Sequence, residues 1–255
     1  LDITFAPILE KLAPQLKSVK AFIAMTDAAH MPKDSKIPNL LCYEDLIAKE
    51  SKDYDWPEFD ERTASSLCYT SGTTGNPKGV LYSHRSTVLH SYAVCQRDGL
   101  NLGSADSALV IVPLFHANAW GVPYGACMSG AKLVFPGPAL DGKSVYELLR
   151  DEKCNFSLGV PTVWLAFFQH VDANPSLDLK KDIKLERCVI GGSAAPRAMI
   201  ERFAKQFNCF VIHAWGMTEM SPLGTTGNML KKHADLPLEK RLDVQAKQGR
   251  TVYGV

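Results

Sequence analysis

The stretch that decides the fold reads YTSGTTGNPKGV and covers residues 69–80. It follows a short apolar run at residues 64–69, which is typical of the end of a buried strand. Its glycines lack a Cβ atom, so backbone N–H groups can approach an anion closely. Lys78 adds a positive charge suited to phosphate oxygens, and Pro77 is expected to keep that lysine on a loop. We therefore predict a phosphate-binding loop.

Small hydroxyl and glycine residues make up the rest of this loop. They are Thr70, Ser71, Gly72, Thr73, Thr74 and Gly75. A plain linker is the alternative, but linkers seldom lead from a strand straight into an amphipathic segment such as residues 83–96. A Walker A loop is excluded, because it needs Gly before its lysine and Ser or Thr after it, whereas Pro77 and Gly79 flank Lys78.

The loop closely resembles the phosphate-binding signature of the acyl-adenylate-forming enzymes. That family includes acyl-CoA synthetases, luciferases and the adenylation domains of peptide synthetases. The resemblance implies that the loop holds the β- and γ-phosphates of ATP. The rest of the chain can then be tested against the family's other motifs.

Composition narrows the class of protein. A formal net charge of +1 over 255 residues gives no support for a nucleic-acid or membrane-surface partner. No apolar run approaches the roughly 20 residues needed to span a bilayer. The seven cysteines are scattered and never form a C-x-x-C pair, so we expect a reducing cytoplasm rather than a disulfide framework or a zinc site.

Strand-like apolar runs alternate with helical patterns along most of the chain, which favours parallel α/β architecture. The predicted strands cover residues 19–25, 107–112, 132–135, 155–160, 185–190 and 209–214. The predicted helices cover residues 4–16 (with Thr4 as a cap), 42–49, 83–97, 119–128, 145–152, 161–171 and 196–207. With the resemblance, this predicts part of an acyl-adenylate-forming large domain, with mostly parallel sheets flanked by helices in two subdomain lobes.

A second motif, PLFHANAWG at residues 113–121, follows a predicted strand end, where open α/β sheets place their ligands. On the residues alone, a ligand pocket at His116 and Trp120 and a simply packed histidine and core tryptophan are equally good interpretations. The resemblance implies that His116 borders the pocket for the acyl carboxylate, and that Trp120 and Gly121 line the path of the acyl chain. Amino-acid-activating relatives carry an acidic residue near this point, so His116 favours an uncharged acyl tail.

A third motif, VIGGSAAP at residues 189–196, leads a strand through paired glycines into a helix. A flat ring or a carboxylate can approach such a turn, although a tight turn without a ligand would look the same. The resemblance implies contacts with adenine and the acyl group. The matching positions are Gly191, Gly192, Ser193, Ala194 and Pro196.

A fourth motif, IHAWGMTEMS, covers residues 212–221. Trp215 offers a stacking face for a purine, Thr218 can donate to a phosphate, and Glu219 is a hard oxygen ligand for Mg²⁺. On the residues alone, a solvated surface position is the favoured interpretation of Glu219. The resemblance favours a metal ligand instead. The implied nucleotide contacts are His213, Ala214, Trp215, Gly216, Met217 and Thr218.

The four motifs together look most like bacterial fatty-acyl-CoA ligases and methylmercaptopropionate-CoA ligases. The implied reaction joins a carboxylic acid to ATP as acyl-AMP and then transfers the acyl group to coenzyme A, with Mg²⁺ on Glu219. Gly191 and Gly216 would also border the acyl group. The implied catalytic residues are Thr70, Lys78, His116, Thr218 and Glu219.

Residues 1–255 begin without Met and stop just after an apolar segment begins, so we expect part of an N-terminal AMP-binding domain. The ribose-binding aspartate and the C-terminal domain would lie beyond Val255, and the chain alone would bind nucleotide weakly and make little acyl-CoA. A nucleotide-binding module without catalysis and an aryl-activating, amino-acid-activating or luciferase-like enzyme stay open. So do the acyl chain length and the oligomeric state, with a homodimer as one option.

Overall fold

The computed structural model describes residues 1–70 and 75–255. The predicted phosphate contacts Ser71, Gly72, Thr73 and Thr74 lie outside the described residues. The chain divides into two compact units, Leu1–Glu58 and Phe59–Val255.

The first unit is small. Its elements are α1 (Ala6–Leu12), β1 (Phe22–Ala24), β2 (Leu40–Cys42) and α2 (Tyr43–Ile47). The strands β1 and β2 are parallel. The cap of the N-terminal turn is Asp2 rather than the predicted Thr4, because the Asp2 carboxylate accepts the Thr4 N–H at 2.8 Å. A carboxylate two residues earlier reaches the free amide, so the helical segment starts at Ile3, sooner than its apolar pattern indicates.

The second unit opens with an antiparallel hairpin of β3 (Ala64–Thr70) and β4 (Lys78–Ser83). The prediction of a strand at residues 64–69 is confirmed, but the prediction that this strand is buried is wrong. Within this strand Cys68 is the buried side chain, because the hairpin forms a two-stranded sheet of its own. Lys78 begins β4 and is not on a loop. Pro77 disfavours helix at the residue before it, and an extended strand satisfies that restriction as well as a loop does.

A seven-stranded sheet forms the centre of the second unit. Its strands are β5 (Ser107–Val110), β6 (Lys132–Val134), β7 (Phe156–Gly159), β8 (Arg187–Ile190), β9 (Phe210–Gly216), β10 (Leu223–Thr226) and β11 (Arg250–Thr251). Strands β6, β5, β7, β8 and β9 are parallel neighbours in that order. Strands β10 and β11 add an antiparallel edge. The predicted mostly parallel α/β architecture is confirmed, whereas β10 and β11 were not predicted.

The helices of the second unit follow the predicted pattern, with two additions. They are α3 (His84–Cys95), α4 (Ala117–Trp120), α5 (Val122–Ser129), α6 (Gly142–Asp151), α7 (Pro161–Ala173), α8 (Leu179–Asp182), α9 (Arg197–Phe207) and α10 (Leu238–Gln245). Helix α6 starts where it does because the Asp141 carboxylate accepts the N–H groups of Lys143 and Ser144 at 3.1 Å. Helices α8 and α10 were missed, because short polar segments carry little apolar periodicity.

The central sheet is buried on both faces. Leu109, Ile190 and Val211 belong to the core cluster that includes residues of α6, α7 and α9. Their neighbours in the strands, such as Val110 and Val189, belong to a second cluster that includes residues of α3 and α5. Successive strand residues point to opposite faces, so a doubly covered strand reads as a continuous apolar run. In the part of the chain that the structure describes, no helix is long and apolar enough to cross a membrane.

Candidate active site

A cavity of about 550 Å³ opens beside the carboxyl ends of β8 and β9. Ligands bind at this edge of open α/β sheets, because the loops that follow the strands converge there. The cavity is lined by Thr70, Gly75, Asn76, Lys78, Leu100, His116, Ala117, Trp120, Val189, Gly191, Gly192, Ala214, Trp215, Gly216, Met217, Thr218, Glu219, Pro222 and Leu223. The structure therefore brings described residues of all four predicted motifs to one cavity.

The open end of the β3–β4 hairpin forms one wall. Thr70 and Lys78 are paired across the two strands, and both line the cavity together with Gly75. Gly75 has a φ of 137°, a conformation that residues with a Cβ rarely adopt. The hairpin thus presents a hydroxyl and an ammonium group side by side at the cavity wall, a pairing suited to phosphate oxygens.

The motif at residues 113–121 forms a second wall through an unusual turn. The residues of α4 have φ angles between 40° and 55°, so this element is a single left-handed turn. Here the predicted helix at residues 119–128 is wrong in its first residues, and the right-handed helix begins at Val122. Left-handed turns of non-glycine residues are unfavourable and persist only where surrounding contacts hold them.

Asn118 supplies such contacts to the left-handed turn. Its Oδ1 atom accepts hydrogen bonds from Ser66 Oγ at 2.9 Å and from Cys68 Sγ at 3.5 Å. Ser66 and Cys68 lie on β3, so the β3–β4 hairpin is hydrogen-bonded to the turn between His116 and Gly121. The local pattern around Asn118 gave no signal for this contact.

The indole of Trp120 lies over the glycine pair of the third motif. A Cβ atom at Gly191 would lie 3.3 Å from Trp120 Cη2, and one at Gly192 would lie 3.7 Å from Trp120 Cζ2. The missing side chains thus leave room for the ring at the cavity wall. Gly121 does not line the cavity, because the ring of His90 fills its side-chain direction, 2.2 Å from where a Cβ would stand.

His90 was missed as a residue near the site. It lies on α3, is 7% exposed, and its Nε2 atom accepts the N–H of Leu223 at 3.3 Å. Burial lowers the pKa of His90 to about 4, so the imidazole is neutral at neutral pH. The sequence offered one signal for it, because His90 lies among the inward-facing residues of the predicted helix at residues 83–97.

The end of β9 and the turn after it form a third wall. Trp215 lies within β9, whereas a loop was predicted from this position onward. Its ring packs over Gly224 of β10, where a Cβ would lie 2.8 Å from the indole. Thr218 and Glu219 occupy a 3-10 turn, Thr218–Met220. The unpredicted antiparallel strand β10 extends the pairing of β9 as far as Gly216.

Tyr82 joins the hairpin to this turn and was also missed. Its hydroxyl donates a hydrogen bond to the backbone carbonyl of Thr218. Burial raises the pKa of Tyr82, and the nearby Cys68 and Glu219 add to that shift. The phenol therefore stays protonated and able to donate.

His213 is buried beneath the site and does not line the cavity. Its Nε2 atom accepts the N–H of Ala195 at 3.1 Å, and its Nδ1 lies 3.1 Å from the carbonyl oxygen of Ala246. Burial lowers the pKa of His213. His213 thus supports the turn at residues 191–196 from inside. Among the described residues, the predicted site residues that lie outside the lining are Gly121, Ser193, Ala194, Pro196 and His213. The lining residues that were not predicted are Asn76, Leu100, Ala117, Val189, Pro222 and Leu223.

Comparison with known proteins agrees with this arrangement. The profile of the family described as AMP-binding enzyme matches residues 6–255. The chain belongs to the AMP-binding enzyme family. A medium-chain-fatty-acid–CoA ligase of Ectopseudomonas oleovorans is 51% identical over 257 residues, which cover 100% of this chain and 46% of that protein. A 3-methylmercaptopropionyl-CoA ligase of Ruegeria lacuscaerulensis is 47% identical, over 100% of this chain and 46% of the relative.

The fold of this AMP-binding domain also matches solved structures. An anthranilate CoA ligase in complex with anthranoyl-AMP superposes with a TM-score of 0.77 at 21% identity, over 99% of this chain and 45% of that one. The chain thus spans about half the length of the relatives that it matches. The prediction of an acyl-adenylate-forming fold is therefore confirmed.

The cavity of this AMP-binding domain offers a metal ion one carboxylate among the described residues. Among the described residues, no group of three or more His, Cys, Asp or Glu side chains could hold an ion by itself. Of the carboxylates that the structure describes, Glu219 alone lines the cavity. This set fits Mg²⁺, which commonly binds proteins through one or two carboxylates and completes its shell with waters and substrate phosphates.

Proposed function

We propose that the protein containing this chain is an ATP-dependent, AMP-forming acyl-CoA ligase that acts on fatty acids. The acid's carboxylate attacks the α-phosphorus of ATP, forming acyl-AMP as the bond to pyrophosphate breaks. The thiolate of coenzyme A then attacks the acyl carbon and releases AMP. The observation that carries this proposal is the convergence of Lys78, Trp120 and the Thr218–Glu219 turn on one cavity. The names of the two similar ligases support the reaction type.

The nucleotide side of the cavity would act mainly through electrostatics. Thr70 and Lys78 stand where the β- and γ-phosphates would be held, and Thr218 stands where it could donate to the α-phosphate. Negative charge moves onto the pyrophosphate as it leaves, and donors fixed in advance stabilise that charge. Trp215 and the glycine turn at residues 191–192 flank the space for adenine. No side-chain nucleophile is required, because the substrate carboxylate attacks.

Glu219 is the residue that would hold Mg²⁺ in this reaction. When bound, Mg²⁺ neutralises charge on the phosphate oxygens. The carboxylate of Glu219 is exposed on a short turn, so it can approach an ion without burying an unpaired charge.

The acyl side of the cavity is largely apolar. Apolar side chains in the lining include Leu100, Ala117, Trp120, Val189, Ala214, Pro222 and Leu223. Among the described lining residues, Glu219 carries the only carboxylate, and we assign it to the nucleotide side, so the acyl side offers no carboxylate to a substrate ammonium group. We therefore assign an uncharged acyl tail, with His116 beside the carboxylate. The scattered, unpaired cysteines support a reducing cytoplasmic setting.

An ATP–pyrophosphate exchange screen tests this function. The full-length gene product is assayed with fatty acids, aryl acids and amino acids in parallel. Fatty acids should support exchange, and coenzyme A should then convert the same acids to thioesters. Exchange with amino acids or aryl acids alone would contradict the fatty-acid assignment. Exchange without thioester formation would contradict the ligase assignment.

A further inference from the structure

Tyr82 stands between the two groups of residues assigned to the phosphates. It lies on β4, four positions after Lys78, and residues two apart in a strand share a face. Lys78, Val80 and Tyr82 therefore lie along one face of the hairpin. Lys78 is exposed at the cavity, whereas Tyr82 is 6% exposed. The same face of β4 thus runs from the phosphate wall into the interior.

The buried end of this face reaches the turn that carries Thr218 and Glu219. The Tyr82 hydroxyl donates to the Thr218 carbonyl across 136 positions of sequence. That carbonyl also accepts the N–H of Ser221 at 3.4 Å, a longer contact within the turn itself. Tyr82 therefore connects a three-residue turn, which has few bonds of its own, to the hairpin that bears Lys78.

The setting of the phenol suits a permanent donor. The phenol is buried, and a backbone carbonyl can only accept a hydrogen bond, so the Tyr82 hydroxyl must be the donor in this contact. A donor held at the carbonyl of Thr218 fixes the peptide plane. The side chain of Thr218 and the position of Glu219 follow from that plane.

We propose that Tyr82 is a positioning residue that sets the Thr218–Glu219 turn relative to Lys78, so that one nucleotide is held from both sides. This inference rests on the proposed function, because it assigns Mg²⁺ and the α-phosphate to the turn and the other phosphates to the hairpin. Tyr82 does not touch the substrate. It acts through the peptide carbonyl of Thr218.

The competing explanation is that Tyr82 only packs the hairpin against the rest of the unit. The substitution Tyr82→Phe separates the two, because it keeps the ring and removes the O–H donor. A hydrogen bond of this kind contributes roughly a three- to tenfold effect on an equilibrium. A packing role would leave the phosphate and magnesium dependence of the Phe variant unchanged. A positioning role would weaken the dependence on Mg·ATP and Mg²⁺ and leave KM for the fatty acid nearly unchanged.

The experiment uses the full-length protein and its Tyr82→Phe variant. We expect kcat/KM for Mg·ATP in the exchange assay to fall roughly three- to tenfold and half-saturation by Mg²⁺ to rise, with KM for the fatty acid within about twofold. The matched control is Tyr92→Phe, an exposed tyrosine on α3 that should leave all three quantities unchanged. Unchanged Mg·ATP dependence, an equal loss for acid and nucleotide, or loss of folding in Tyr82→Phe would each overturn the proposal.

Calorimetric binding of Mg·ATP separates this inference from the proposed function. The wild-type protein could bind Mg·ATP while none of the tested acids supports pyrophosphate exchange. The ligase function would then fail, and the dissociation constants for Mg·ATP would decide the Tyr82 inference. A weaker Kd for Tyr82→Phe would then support it, and an equal Kd would overturn it. If the wild-type protein does not bind Mg·ATP, both fail together.

Discussion

His90 is a buried base whose protonation is coupled to folding. Its pKa falls from 6.5 in the unfolded chain to about 4 in the folded state. Between these values the unfolded state binds more protons, so the free energy of unfolding must decrease as the pH falls. Above about pH 6.5 the imidazole is neutral in both states, and the contribution is constant. The loss between the two pKa values is on the order of 3 kcal/mol.

We predict that urea unfolding of the wild-type chain shows this loss between pH 7 and pH 4.5, and that His90→Gln reduces its slope with pH. The variant removes the titrating ring, so its free energy of unfolding should depend less on pH even if it is lower overall. His84→Gln on the same helix is the matched control, because His84 is partly exposed. Equal slopes for wild type and His90→Gln would contradict the prediction. His213 is present in all of these proteins, so its own titration cancels.

Trp120 is the residue at which the acyl side meets the glycine turn. We predict that Trp120→Ala in the full-length protein changes the preference for acyl chain length more than the affinity for Mg·ATP. Removing the indole opens space beside Gly191 and Gly192, where the ring would lie 3.3 and 3.7 Å from a Cβ atom at each position. The measurement is kcat/KM across a series of fatty acids, with Trp56→Ala, 85% exposed, as the control. An unchanged acyl profile would remove Trp120 from the acyl pocket.

At the scale of elements, the left-handed turn α4 depends on the hairpin for its conformation. Asn118 accepts hydrogen bonds from Ser66 and Cys68 of β3, and these link a backbone of positive φ to a regular strand. Because this turn lies at the cavity beside His116 and includes Trp120, the hydrogen bonds of Asn118 link two walls of the cavity. Loss of that connection should affect stability first and acid binding second.

A double-mutant cycle on Asn118 and Ser66 tests this connection. We expect Asn118→Ala and Ser66→Ala each to lower the free energy of unfolding by about 1 kcal/mol, with a coupling of similar size. Ala is tolerated at this φ in the neighbouring Ala117 and Ala119, so the backbone need not rearrange. The pair Ser65 and Asn118, which make no contact with each other, gives the control cycle. Additive effects for Ser66 and Asn118 would show that the hydrogen bond contributes nothing.

At the scale of the whole molecule, the chain spans about half the length of the relatives that it matches. It spans 46% of the length of the similar fatty-acid ligase. We predict that the isolated 255-residue chain binds adenine nucleotide weakly and makes little or no acyl-CoA. The measurement is pyrophosphate release and thioester formation, with the full-length protein as the positive control. Robust ligase activity from the chain alone would refute this prediction.

Much of the architecture could be predicted because it is written in local patterns. Buried parallel strands such as Arg187–Ile190 are continuous apolar runs, and helix starts carry recognisable residues such as Pro161. The burial of the hairpin was misjudged for the same reason. An apolar run indicates a strand, but its neighbours decide whether it lies in the central sheet or at the surface.

The sequence by itself determined the family and the alternating α/β order, because these depend on short stretches of chain. Only the tertiary structure decided the left-handed turn at Asn118, the contact of His90 with Leu223, and the bond from Tyr82 to Thr218. The partners in the last two contacts are 133 and 136 positions apart. No local periodicity encodes such pairings. They arise when the packed core brings distant backbone groups together and each buried polar group must find a partner.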